Sequence, residues 1–126
     1  MKPLAQVRID DLDGVLVAHL VGEIDLSNVD EVRALVIARS SQEAGALVLD
    51  LTETTYLDST GVRLLFELAE RLQSRRQQLR LVVTDEALVR RVILLTKLDE
   101  QVPLDTSVDA AVAAARVRPG GTNGTG

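Results

Sequence analysis

Four consecutive residues, Asp58-Ser59-Thr60-Gly61, concentrate the reactive chemistry of this sequence. They stand between a strand-like segment at Tyr56 and an amphipathic run that reaches Leu72. Asp58 or Ser59 would cap a helix by accepting an N–H from its first turn, worth roughly 0.5–2 kcal/mol. A cap needs only one such residue. It does not account for a second hydroxyl, or for Gly61 inside the first turn at a cost of about 1 kcal/mol against Ala. Glycine there permits another backbone to come close. A hydroxyl at that place also suits phosphorylation, because a helix N-terminus tolerates the added charge of about −1.5 to −2. Facing a carboxylate about 5 Å away, at an effective dielectric of about 40, a phosphate feels ~3 kcal/mol of repulsion. That is enough to release a docked partner.

The remaining candidates carry less. Glu23 and Asp25, in the stretch GEID, directly follow a strand and read by themselves as solvated turn residues that assist the next helix start. His19 lies within a strand beside Val17 and Val21, where a lone histidine is ordinarily a surface or half-buried residue. With one histidine and no cysteine, no zinc or di-metal set forms, and disulfides and thiol catalysis are excluded. No GxxxxGK[ST] or GxGxxG supports nucleotide hydrolysis or dinucleotide binding. DSTG departs from the GxSxG elbow, and His19 is the only imidazole available as a base for Ser59, so acyl transfer lacks its parts. No cofactor is implied, and the chain reads as a binding protein rather than an enzyme.

Hydrophobic periodicity outlines the elements that must position these residues. Leu4 to Ile9 and the run VLVAHLVG from Val15 read as strands joined by the turn DDLDG. A helix follows in DLSNVDEVRALVIARSS, with Ser27 as its N-cap and Val29, Val32, Leu35 and Val36 at helical spacing. ALVLDL, led in by Gly45, and Leu79 to Asp85 read as strands. In the helix after DSTG, the spacing buries Val62, Leu65, Phe66, Ala69 and Leu72. Ser59, Thr60, Arg63, Glu67 and Glu70 fall on the other side, with Leu64 at the margin. EALVRRVILLTKL is a further helix with Leu88, Val92 and Leu95 on one face. QVPL around Pro103 suits a short edge strand, and TSVDAAVAAAR a last helix capped by Thr106 or Ser107.

The expected architecture is α/β: one domain over residues 1–116, with a mixed sheet of about five strands and about four helices. Residues 117–126 form a Gly-rich tail expected to be disordered. With 126 residues, 46% hydrophobic but only 2% aromatic, the core must be built from Val, Leu, Ile and Ala. A net charge of −5, without aromatic platforms, argues against a nucleic-acid binder. No segment has the character of a signal peptide or a membrane span, so a cytoplasmic protein without membrane insertion is expected.

The stretches LVGEIDLSNVDEVR, LVLDLTETTYLDSTGVRLLFEL and LRLVVTDEALVRRVILLTKLDEQVPL together resemble the STAS family of bacterial anti-sigma factor antagonists. The likeness runs from about Val7 to Ala115. It implies a mixed sheet with helices packed mainly on one face. It implies partner switching: binding of an ATP-dependent serine-kinase anti-sigma factor, release of a sigma factor, phosphorylation at Ser59, and reversal by a phosphoserine phosphatase. In this likeness Asp58 matches the acidic neighbour of the serine, Glu23 and Asp25 match a nearby loop, and Thr60 stands where Ser or Thr is usual. Gly61 would leave room for the partner, with Arg63, Leu64 and Glu67 as contacts beside the switch. A homodimer is compatible with the family. Two alternatives stay open: a phosphorylation-independent STAS scaffold or transport-accessory protein, and a small-molecule or nucleotide binder near Gly22 and Ser59.

Overall fold

The computed structural model describes residues 5–40 and 45–116. Leu4 and the expected tail, 117–126, lie outside the described residues. β1 (Ala5–Leu12) and β2 (Val15–Ile24) form an antiparallel hairpin. Its turn is Asp13-Gly14, with φ of 56° and 88°. Two positive φ values in a two-residue loop match the twist of the flanking strands. The turn is therefore tighter than DDLDG suggested, and β1 continues past Ile9 to Leu12.

Helix α1 (Val29–Ser40), strands β3 (Ala46–Asp50) and β4 (Thr54–Leu57), and helix α2 (Ser59–Ser74) follow. Then come β5 (Gln78–Val82), α3 (Leu88–Leu95), β6 (Leu104–Asp105) and α4 (Val108–Arg116). The sheet is six-stranded, in the order β1-β2-β3-β5-β6, with β4 paired to β2. All pairs but the hairpin are parallel. The strand beyond the expected count is β4, which the sequence presented only as the lead-in to a helix. β6 is the expected edge strand, and Ser107 caps α4 by accepting the Ala110 N–H.

Alternation along the strands divides the interior into two layers. Leu20, Leu47, Leu49 and Leu81 point toward α1, α2 and α3, joined there by Val32, Leu65, Leu68 and Ile93. Val15, Val17, Ala46, Val48 and Val82 point the other way, against Ala111, Val112 and Ala115 of α4. Three helices thus share one face and α4 covers part of the other. β3, buried at every position, carries the continuous apolar pattern that two covered faces require. No helix among the described residues is long and apolar enough to cross a membrane.

Helix α3 departs from the expected pattern. Val89 and Ile93 face the core, whereas Leu88 and Leu95 are 69% and 83% exposed. The run LVRRVILL offers apolar residues on two stripes, and only the docking of α3 selects between them.

A polar cluster stands on the α4 side of the sheet. His19 is half-buried, as expected, and bridges two carboxylates: Nδ1 lies 2.7 Å from Asp50 Oδ2 and Nε2 lies 2.9 Å from Asp10 Oδ2. Asp50 Oδ1 accepts the Thr52 N–H at 3.0 Å and the Thr52 hydroxyl at 2.8 Å. Burial pushes the Asp50 carboxyl up, but the hydrogen bonds from Thr52 and His19, with the charge of His19, outweigh it. Its pKa is held below the ordinary value. A carboxylate depressed on folding contributes stability that is fully present above the unfolded value of about 3.9 and is lost as pH falls through the folded value. Asp50→Ala should therefore lower stability at neutral pH by about 1–3 kcal/mol, because buried donors lose their acceptor. It should also remove part of the acid loss. Urea titrations of parent and variant at neutral pH and at about pH 3 check both effects, the gap between the two chains narrowing in acid.

Candidate partner-binding and phosphorylation site

The residues at the β4–α2 junction are placed by the end of β2. There the pairing register shifts between Gly22 and Glu23, with Gly22 at φ 102° and its N–H donated to the Glu53 carbonyl. Such a bulge bends a strand and re-aims its end. β2 thereby leaves β3, pairs with β4, and delivers the loop 25–28 to the start of α2.

Inside that loop Asp25 does the folding. Its Oδ1 accepts the Ser27 N–H at 2.9 Å and the Ser27 hydroxyl at 2.6 Å, while its carbonyl accepts the N–H groups of Asn28 and Val29. Asn28 returns two bonds, accepting the Asp25 N–H at 3.1 Å and donating to the Glu23 carbonyl at 2.8 Å. Ser27 is therefore not the N-cap of α1. Its hydroxyl turns back to Asp25, and Asn28 holds the position before Val29.

Asp58 is the cap of α2. Its Oδ1 accepts the N–H groups of Thr60 at 2.9 Å and Gly61 at 3.0 Å, and also the Thr60 hydroxyl. Its Oδ2 reaches across to the Leu26 N–H at 3.0 Å, tying the 25–28 loop to the helix. The Thr60 hydroxyl, helped by the Gly61, Leu26 and Thr60 N–H groups, holds the Asp58 carboxyl below the ordinary value against a smaller opposing effect of burial.

The two neighbouring hydroxyls are thus unequal. Thr60 is committed to Asp58 and half-buried; Ser59 is exposed, and its hydroxyl has no hydrogen-bond partner among the described residues. Ser59 also opens the helix, where the backbone dipole favours a negative group.

The other expected residues divide. Glu23 and Arg63 are exposed near the junction. Glu67 is engaged: its Oε1 accepts Arg33 Nε at 3.2 Å and Nη2 at 2.9 Å, clasping α2 to α1. Leu64 is 1% exposed and belongs to the core, because α2 buries a stripe of Leu64, Leu65, Leu68, Ala69 and Leu72. It offers no contact to a partner. Val62 and Phe66, expected within the stripe, lie at its half-buried edges. Gly61 is buried as well. A Cβ there would lie 2.9 Å from Leu57 Cδ2 and 3.2 Å from the Ile24 carbonyl oxygen. The backbone that approaches this glycine is the domain's own β2, not a partner's.

Apolar residues beside the serine went unread in the sequence. Leu26 is 74% and Tyr56 51% exposed, and with Asp25, Ser27 and Asp58 they line a shallow open hollow. α3 packs beside β4 and turns Leu88 and Leu95 outward. The one available signal was alternation along β4, which puts Tyr56 opposite to the buried Leu57.

Comparison with known proteins agrees with the fold. A family profile described as the STAS domain matches residues 6–111. BtrV of Bordetella bronchiseptica, named as an anti-sigma factor antagonist, is 30% identical over 110 residues, covering 86% of this chain and 93% of that protein. The crystal structure of an anti-sigma factor antagonist from Mycobacterium paratuberculosis superposes with a TM-score of 0.81 at 32% identity, covering 89% of this chain and 94% of that one. The phosphorylated form of the Bacillus cell fate determinant SpoIIAA shares the fold, with a TM-score of 0.62 at 22% identity, covering 90% of this chain and 99% of that one.

Gly61→Ala should be destabilising by about 1–3 kcal/mol despite alanine's better helix propensity, because the Ile24 backbone must give way. Asp58→Ala should cost about 1–2 kcal/mol and loosen the 25–28 loop. Thermal melts measure both, and amide exchange at Leu26 reports the loosening.

Proposed function

The chain belongs to the STAS domain family, and on that premise we propose that it is an anti-sigma factor antagonist switched off by phosphorylation of Ser59. It acts by binding a serine-kinase anti-sigma factor, which then releases a sigma factor. The observation that carries this reading is the exposed, unbonded Ser59 hydroxyl at the first position of α2, next to a Thr60 hydroxyl already taken by Asp58.

Docking rests on apolar contact beside that hydroxyl. Leu26 and Tyr56 flank the hollow, and the outward leucines of α3 extend the apolar surface. Buried exposed leucines supply about 25 cal/mol per Å² removed from water. Arg63 and Glu23 form the polar rim of the contact. The kinase partner carries the ATP, so this chain needs no cofactor and contributes no catalysis; a phosphoserine phosphatase restores the binding form.

Phosphorylation leaves the fold intact, since the helix end accepts the charge. It sets a dianion within a surface that already holds the Asp58 carboxylate. One partner carboxylate about 5 Å away then costs ~3 kcal/mol, on the order of a hundredfold in affinity.

Ser59→Ala should bind the kinase like the parent and gain no phosphate with ATP by intact mass. Ser59→Asp, with one charge where phosphate has about two, should bind roughly tenfold more weakly in calorimetry. Equal binding by parent and Ser59→Asp, or phosphate gain by Ser59→Ala, would remove the switch. The scaffold alternative would then stand.

A further inference from the structure

β1 is an edge strand of an unusual kind. It is eight residues long, contains neither proline nor bulge, and pairs with β2 in unbroken register. Natural edges are commonly shortened, bulged or armed with like charges to prevent pairing. Here the charges on one face, Arg8 and Asp10, are of opposite sign and two residues apart, while Asp11 lies on the other face and accepts the Gly14 N–H.

The hairpin turn fixes which backbone groups face outward. A two-residue turn makes Leu12 and Val15 a hydrogen-bonded pair, and such pairs alternate along an antiparallel ladder. The even-numbered residues of β1 therefore bond to β2. Val7, Ile9 and Asp11 turn their N–H and C=O groups to the open edge, which has no strand beyond it among the described residues.

We propose that this edge pairs with β1 of a second copy, antiparallel and centred on Ile9, giving a two-fold dimer. Charge selects the register. Centred on Ile9, Arg8 of each copy stands opposite Asp10 of the other, and residues 6–12 overlap. Centred on Arg8 or Asp10, identical charges meet across the axis; centred on Val7, only residues 5–9 overlap. Directly opposite side chains of unlike charge stabilise a strand pair and like charges oppose it. Arg8 is exposed, and the Asp10 side chain is 49% exposed with only its Oδ2 engaged by His19. On the opposite face, Val7, Val32 and Leu35 line a hollow between β1 and α1, and Leu35 is 47% exposed. The second copy covers this apolar strip. β1 and β4 lie on opposite edges of β2, so pairing leaves Ser59 open in each copy. The dimer stands independently of the phosphorylation reading.

Sedimentation of the full chain over rising concentration should show a monomer–dimer equilibrium. Concentration-dependent amide protection should appear at Val7, Ile9 and Asp11. Arg8→Asp sets acid against acid twice and should weaken the dimer at least about tenfold, while Arg8→Asp with Asp10→Arg should restore it to within about threefold. If Asp10→Arg unfolds the chain through its His19 contact, protection in the parent and its loss in Arg8→Asp decide the matter. A monomer up to about 1 mM, or a dimer indifferent to Arg8→Asp, would overturn the proposal. So would protection of β1 that appears only when a different protein is added.

Discussion

The carboxylate of Asp58 makes one surface out of separate chain segments. One oxygen closes the first turn of α2, and the other holds the Leu26 N–H in the loop after β2. The Asp58 N–H is in turn donated to the Ile24 carbonyl, the atom that also presses close to Gly61. The helix start is thereby pinned against β2 on its inner side, and Ser59 is left outward. A carboxylate with several donors and a depressed pKa stays ionised across the physiological range, which keeps that pin in place.

This arrangement depends on β2 changing partners. Its first half pairs with β3 in the core of the sheet, while its end, beyond the bulge at Gly22, pairs with β4. Strand-end loops are brought to one place by that change, over a fully buried aliphatic core. The interior has almost no rings to fill it, so branched aliphatics interdigitate from two sides of the sheet. Beside that packing, the surface carries largely exposed leucines at Leu26, Leu88 and Leu95. Asp10 and Asp50, held by His19 from strands on either side of β2, brace the sheet on its other face.

Much of this was legible in the chain. Period-two and helical spacing identified the hairpin, the buried β3 and the helix after DSTG, since those patterns reflect backbone geometry that every strand and helix shares. The side-by-side hydroxyls marked the site, and Asp58 was one of two named caps. What failed were choices between equivalent local options. Ser27 and Asn28 are both competent cap residues, and the Asp25 hydrogen bonds decided between them. Two apolar stripes of α3 were equally periodic, and contact with β4 and the core chose Val89 and Ile93. Leu64, at the margin of a helical wheel, was drawn wholly inside.

The sequence alone therefore determined which groups the junction would hold: an acid able to cap, two hydroxyls, and a glycine that lets a backbone near. These are local properties of residue type and order. Only the tertiary structure decided that Thr60 gives its hydroxyl to Asp58 while Ser59 keeps its own free, and that the space at Gly61 belongs to β2. The physical reason is that exposure and hydrogen-bond partnership are set by surfaces distant in sequence. Ile24 and Leu26 reach the junction only when β2 and β4 pair.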